Sequence, residues 1–283
     1  ALANGARGTV RTSPNPRVGA VVVTADGRVF DGVTEPPGGR HAEIVALDAA
    51  GDARGATVAT TLEPCNHTGR TGPCTEALIA AGVARVVVGI QDPDELVAGT
   101  GIARLRDAGI DVTVGIRADA ATEQLAAYLH HRRTGRPYVV LKLASTLDGR
   151  TAAADGTSRW ITGSEARADV HRIRADADAV LVGAGTVRAD DPELTVRHVD
   201  GADPIRVVLG TAPAGARIHP CLELSGDLQH VLDTLGGKGV LRLLVEGGAT
   251  VAAAFHHAGL VDEYVLYVGP ACLGTGARPP LDG

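Results

Sequence analysis

The chain contains no methionine, not even at its first position. It ends at Pro280-Leu281-Asp282-Gly283, directly after a strand-like pattern, and the expectation is that residues are missing at the start, at the end and in some loops. No apolar run reaches the roughly eighteen residues of a membrane-spanning helix and no charged-then-apolar leader is visible, so no membrane partner and no secretory signal is expected. A basic excess is absent too. With a formal charge of -6 and a pI near 5.9, the net field has the wrong sign for holding nucleic acid, and only local basic pockets are left to meet an anion. The four cysteines are too few and too unevenly spaced for a disulfide scaffold. A reducing cytoplasm fits them, and Cys221 and Cys272 read as buried or idle thiols.

What is present is concentrated in residues 41–74. His41-Ala42-Glu43 leads into a helical run, followed by Pro64-Cys65 and then Pro73-Cys74. One imidazole and two thiols make the ligand set of a catalytic zinc site with one position left open, and this donor set suits zinc better than magnesium or calcium. Zinc in such a site brings the pKa of water to about 7. Glu43, not needed by the metal, is left to move protons. Apolar periodicity predicts a helix behind His41 and another behind Cys74, the second ended by Gly82. Both outer ligands then fall at helix N-termini, which favour a thiolate. Pro64 places Cys65 on a bend after a strand over residues 56–62.

The H-x-E half of the zinc nucleobase deaminase signature is intact, but eight residues separate the cysteines where the general signature has two. That insertion carries His67 and Arg70, which suit an anionic or highly hydroxylated substrate. The blander alternative is a solvated helix start and two small buried hydrophobes.

At 283 residues the chain is long enough for two domains, each with its own core. The turn Ser13-Pro14-Asn15-Pro16-Arg17 feeds the apolar run Val21-Val22-Val23 and could aim Asn15 into the same cleft; the alternative is an ordinary turn asparagine. Strands at 85–90 and 109–114 and a short helix at 102–108 continue the alternation, predicting a three-layer α/β/α sandwich over residues 1–121. Residues 122–137 read as a linking helix and junction. Its adjacent His130 and His131 point about 100° apart on a helix and cannot easily share one ion, so this is a solvated helix end closed by Gly135 and Pro137.

Residues 138–283 read as a second α/β domain. A strand over 138–144 opens it, and the single Trp160 is more often core than ligand platform. A helix over 164–175 carries Arg167, His171 and Arg174 down one side. Gly183-Ala184-Gly185 lacks the third glycine of a dinucleotide fingerprint and is a weak signal. Val245-Glu246-Gly247-Gly248 precedes a helix start, either an anion site suited to a cofactor phosphate or a structural strand-to-helix turn.

The combination resembles one family over nearly the whole chain. Ser13-Pro14-Asn15-Pro16-Arg17-Val18-Gly19, Gly39-Arg40-His41-Ala42-Glu43, Thr61-Leu62-Glu63-Pro64-Cys65-Asn66-His67 through Cys74, Leu141-Lys142-Leu143 with Asp148-Gly149-Arg150, residues 186–197 and Val245-Glu246-Gly247-Gly248 are similar, in order, to the bifunctional riboflavin-biosynthesis deaminase/reductases. The long cysteine spacing is that family's own. The resemblance implies a cytidine-deaminase-like sandwich followed by a dihydrofolate-reductase-like α/β domain. It implies zinc on His41, Cys65 and Cys74, with Glu43 as acid/base, hydrolysing the 2-amino group of a diamino-hydroxy-phosphoribosylaminopyrimidine. NADPH then reduces the ribosyl group to ribityl.

For the reductase, the resemblance implies substrate contacts at Ser158, Arg174, Leu194, Arg197 and Glu246. It implies NADP contacts at Ala144, Trp160, Thr186, Asp190 and the turn of Gly248, Ala249, Thr250, Val251, Ala252, Ala253 and Ala254. Lys142 and Asp190 are candidates for orienting the ribose and supplying a proton. Two other readings stay open: a cytidine- or guanine-type deaminase fused to an unrelated domain, and a non-catalytic protein with structural zinc. Structural zinc usually has four protein ligands, and no fourth is apparent beside the three. Oligomeric state is not fixed by the sequence, and a homo-oligomer is among the options.

Overall fold

The computed structural model describes residues 1–7, 12–67, 72–95, 97–155, 161–277 and 279–281, so Arg70, Ser158 and Trp160 lie outside the described residues. The chain divides into two compact units, Ala1–Gly135 and Arg136–Gly283. The first runs α1 (Leu2–Arg7), β1 (Gly19–Val23), β2 (Val29–Val33), α2 (Ala42–Ala50), β3 (Thr57–Leu62), α3 (Cys74–Ala80), β4 (Arg85–Ile90), α4 (Thr100–Asp107), β5 (Asp111–Val114), α5 (Ala118–Gln124) and α6 (Ala126–Thr134). Its sheet has the order β2-β1-β3-β4-β5, antiparallel across the first two junctions and parallel across the last two.

Small residues set how closely the helices cover this sheet. Ala20 pairs with Gly32, and a Cβ on Gly32 would stand 2.0 Å from the Ala42 carbonyl oxygen, so α2 lies directly on that face. On the opposite pleat, a Cβ on Gly19 would meet α1 and one on Gly89 would stand 3.0 Å from Ala121 of α5. Helices on both faces make the expected three layers. Of residues 122–137, read from sequence as a linking helix and junction, residues 122–135 instead contribute the end of α5 and α6 to this unit. Leu125, Tyr128 and Leu129 are buried within it, which a solvated linker would not allow. Gly135, at φ 74, ends α6.

The second unit runs β6 (Tyr138–Thr146), α7 (Ser164–Asp176), β7 (Ala179–Gly183), α8 (Ala184–Asp190), β8 (Ile205–Leu209), β9 (Leu222–Leu224), α9 (Leu228–Gly237), β10 (Arg242–Val245), α10 (Ala249–His257) and β11 (Glu263–Gly269). Its order is β11-β6-β10-β7-β8-β9, and every pair is parallel. Such a sheet needs cover on both faces, which is why its strands are continuous apolar runs. Leu141, Leu181, Leu243 and Val245 pack against Val231, Leu232 and Leu235 of α9 and Phe255 of α10. Their chain neighbours Val140, Val180, Val182 and Leu244 pack on the other face with Ile173 of α7 and Val187 of α8. Each fully buried leucine contributes about 1.5–3 kcal/mol of transfer free energy.

Candidate active sites

The first unit gathers its chemistry where three elements meet. His41 is the extended residue capping α2, Cys65 follows the Pro64 bend beyond β3, and Cys74 is the first residue of α3. His41 Nδ1 lies 3.5 Å from Cys65 Sγ and 3.2 Å from Cys74 Sγ. Tetrahedral zinc bonds of about 2.05 Å to nitrogen and about 2.3 Å to sulfur would leave such donors roughly 3.5 Å apart. The electrostatics fit a cation as well. The hydrogen bond from Cys74, with His41 beside it, holds the Cys65 thiol well below its ordinary value, while sharing with Cys65, burial and Glu43 push the Cys74 thiol up. A divalent cation resolves that conflict because it favours both thiolates.

Glu43, one residue into α2, is 3 % exposed with Oε2 3.7 Å from Cys74 Sγ. Burial pushes its carboxyl up to about 7, so it can carry a proton near neutrality. Glu43, His41 and Cys65 line a cavity of about 400 Å³ together with Asn15 and His67, and Cys74 is buried behind them.

Four further residues of this cavity, Glu63, Asp92, Tyr128 and Arg132, were given no role from the sequence. Glu63 accepts backbone hydrogen bonds from Asp92 (3.2 Å), Gly99 (2.9 Å), Gly101 and Ile102 (both 3.0 Å), tying the end of β3 to the start of α4. Tyr128 Oη donates to Asp92 at 3.0 Å, and burial raises the Asp92 pKa. Arg132 lies over the Tyr128 ring at 5.1 Å, donates to the Pro14 carbonyl at 3.3 Å and pairs with Asp94 at 3.5 Å. The i, i+4 spacing of Tyr128 and Arg132 is the signal in the sequence that points to this pair.

In the second unit the candidate residues gather at the C-terminal ends of β6, β7 and β10, where parallel α/β sheets bind ligands. Val245 pairs with Leu141 on one side and Leu181 on the other, which sets Glu246 beside Lys142. Arg174 of α7 grips Glu246 through Nε at 2.5 Å and Nη2 at 3.0 Å, and donates from Nη1 to the Thr195 carbonyl at 3.2 Å. Burial alone would raise the Glu246 pKa, but Arg174, with Lys142 and His171, holds it below its ordinary value. Thr186, near the start of α8, has its Oγ1 3.6 Å from where a Cβ on Gly248 would stand, so the α8 and α10 starts adjoin.

The other candidates are distributed unevenly. Gly248 and Thr250 are exposed and Ala249 and Val251 half-buried; Ala252 and Ala253 are buried, Ala252 within the core, and Ala254 is exposed on the next turn. Ala144 is half-buried near the end of β6, and Asp190 is exposed at the end of α8. Leu194 is buried at φ 53, between Asp191 at φ 40 and His198 at φ 69. Non-glycine residues in this region cost about 1–3 kcal/mol each and cluster at ligand clamps. Arg197 donates its backbone N–H to His171 Nδ1 at 3.0 Å, while its guanidinium pairs with Glu193. Arg174 and Arg197, both expected as substrate contacts, are thus each engaged by a carboxylate.

Comparison with known proteins agrees with both halves. Residues 1–90 match the family profile described as the cytidine and deoxycytidylate deaminase zinc-binding region, and residues 137–283 match the RibD C-terminal domain. A zinc deaminase fold joined to a dihydrofolate-reductase-like domain is the class that the fold and sites define. The chain is 47% identical to the riboflavin biosynthesis protein RibD of Mycobacterium tuberculosis, over 93% of this chain and 81% of that protein. It is 41% identical to the Escherichia coli protein of that name, over 96% and 86%. A solved RibD of Acinetobacter baumannii superposes with a TM-score of 0.92 at 42% identity, covering 100% of this chain and 88% of that one. A Thermotoga maritima diaminohydroxyphosphoribosylaminopyrimidine deaminase/5-amino-6-(5-phosphoribosylamino)uracil reductase gives 0.91 at 34% identity, covering 98% and 87%. The chain belongs to the RibD family, the bifunctional deaminase/reductases of riboflavin biosynthesis, whose cofactors are zinc and NADPH.

Proposed function

We propose that His41, Cys65 and Cys74 hold the zinc ion and that Glu43 is the proton carrier for hydrolytic deamination of 2,5-diamino-6-(5-phosphoribosylamino)pyrimidin-4-one. The observation that carries this is the convergence of the three donors beside a buried carboxyl at a cavity large enough for a pyrimidine. Zinc, when bound, supplies Lewis acidity that brings the pKa of water to about 7. Glu43, raised to about 7 by burial, accepts one proton of the water at Oε and gives it to the ring nitrogen, then takes the second, from the hydroxyl now on the ring carbon, and gives it to the departing amine, which leaves as ammonia. Asn15 and His67 orient the polar edge of the substrate, and Arg70 adds charge for its phosphate. Such acid/base catalysis contributes about 10²–10⁴-fold, so Glu43→Gln should keep zinc and lose deamination by that factor. Full turnover in that variant would sink the assignment.

In the second unit, NADPH supplies the hydride when bound. Thr186 and the exposed start of α10 meet its phosphates, with Ala144, Trp160 and Asp190 as further contacts. Glu246, fixed by Arg174, and Lys142 orient the ribosyl group, with Lys142 or Asp190 as proton donor. Arg197, Ser158 and Leu194 complete the substrate side. Four free thiols suit a reducing, cytoplasmic setting. The test follows ammonia release and NADPH oxidation in one tube with the diamino substrate. Matched ammonia and NADPH loss supports both halves in this order. Ammonia alone overturns the reductase assignment, and neither product, with zinc present, overturns the substrate.

A further inference from the structure

A second cluster of metal-ligating side chains lies in the second unit, apart from the sites above. His219 and Cys221 lie on the chain just before β9 and Glu223 lies within it. One ligand atom from each lies within 4.8 Å of the others, and His219 Nδ1 is 3.4 Å from Cys221 Sγ. That is close to the roughly 3.5 Å left between nitrogen and sulfur donors on tetrahedral zinc. Two further contacts orient the donors. His219 Nε2 lies 3.0 Å from the Pro213 carbonyl and donates to it in the tautomer that leaves the Nδ1 lone pair toward Cys221. The Ala212 N–H donates to Glu223 Oε1 at 2.9 Å. Backbone partners of this kind fix the tautomer and angle of histidines and carboxylates that ligate metals.

We propose that His219, Cys221 and Glu223 form a second zinc site, with a thiolate, an imidazole and a carboxylate as ligands and a fourth position open to solvent. Its half-buried thiol and exposed partners make it a surface clamp. Because Glu223 and His219 also hold Ala212 and Pro213, a bound ion ties the 212–219 turn to β9, the outermost strand at that side of the sheet. The donor set favours zinc over magnesium or calcium.

The test uses the full-length protein and zinc itself. Equilibrium dialysis should give two zinc ions per chain, falling to one in Cys221→Ser and in His219→Ala, with ammonia release and NADPH oxidation unchanged. A stoichiometry of one in the unaltered chain with deamination intact overturns the proposal, and so does a stoichiometry of two in Cys221→Ser. Alkylation of Cys221, followed on its peptide by mass spectrometry, gives an independent readout. Added zinc should slow it roughly tenfold or more in the unaltered chain, and should not in His219→Ala. A rate indifferent to zinc overturns the site whatever the bulk stoichiometry.

Discussion

The two units assemble their candidate sites in opposite ways. In the first, the proposed zinc ligands and acid/base fall within residues 41–74, and two helix starts bring them together. In the second, Lys142, Arg174, Thr186, Leu194 and Glu246 come from separate elements; the parallel ladder of β6 and β10 sets Lys142 beside Glu246, and Arg174 reaches Glu246 from α7. A site built locally survives in sequence as a motif with fixed spacing. A site built from strand ends is written in the register, which no spacing along the chain records.

The sharpest way to break this comparison is to remove one ligand from the local site. Cys74→Ala leaves the thiolate and imidazole short of the three donors a catalytic zinc requires. Zinc retention and ammonia release should fall by about 10³-fold or more, as for loss of an essential metal-activated nucleophile, while reduction of the already deaminated substrate continues. Loss of both activities together would mean that the units do not act separately.

A weaker blow falls on the support beneath the motif. Gly32 is in β2, yet a Cβ there would enter the backbone of α2 at Ala42 and, at 2.8 Å, at the Ala46 nitrogen. Gly32→Ala should displace the helix that begins after His41, cutting zinc affinity by roughly 10–100-fold although no ligand changes. Dialysis against a chelator would measure it. A retained affinity would show that α2 shifts without carrying His41.

How much was legible follows the same division. The three-layer sandwich, the helix starts at His41 and Cys74 and the proline bend before Cys65 were all readable, because each is a local consequence of periodicity or proline chemistry. Tyr128 and Arg132 were not, because their helix looked solvated until the fold buried Tyr128 against Asp92. The Arg174–Glu246 pair was half-legible. Both residues were singled out, but as ligands for substrate and not for each other.

That pair gives the next test, on the dispersed site. Its side chains are 12% and 9% exposed, and removing one partner of such a pair costs about 3–5 kcal/mol because the other charge is left buried. Arg174→Met should lower the unfolding free energy of the second unit by that amount and abolish reduction, with deamination intact. The sign with pH is also set. The folded pKa of Glu246 is held below its ordinary 4.5, so its stabilisation is complete above that value and is lost as pH falls through the folded pKa. Denaturant titrations across that window should show the unaltered chain losing stability toward acid more steeply than Arg174→Met.

The smallest expected effect separates shape from chemistry in the local site. Tyr128→Phe keeps the ring under Arg132 but removes the hydroxyl that donates to Asp92 at 3.0 Å. Asp92 keeps the Asp94 N–H at 2.9 Å, so it is left with one donor fewer but not bare. A single buried hydrogen bond contributes about 0.5–1.5 kcal/mol net, and more when a charged group accepts it. The expected result is a loss of roughly 1–2 kcal/mol in the first unit, with KM for the diamino substrate raised and kcat little changed, because Tyr128 shapes the cavity wall and does not reach Glu43. A fall in kcat with KM unchanged would instead make Tyr128 part of the chemistry, and the first unit's catalytic residues would then extend onto α6, beyond the motif that announced them.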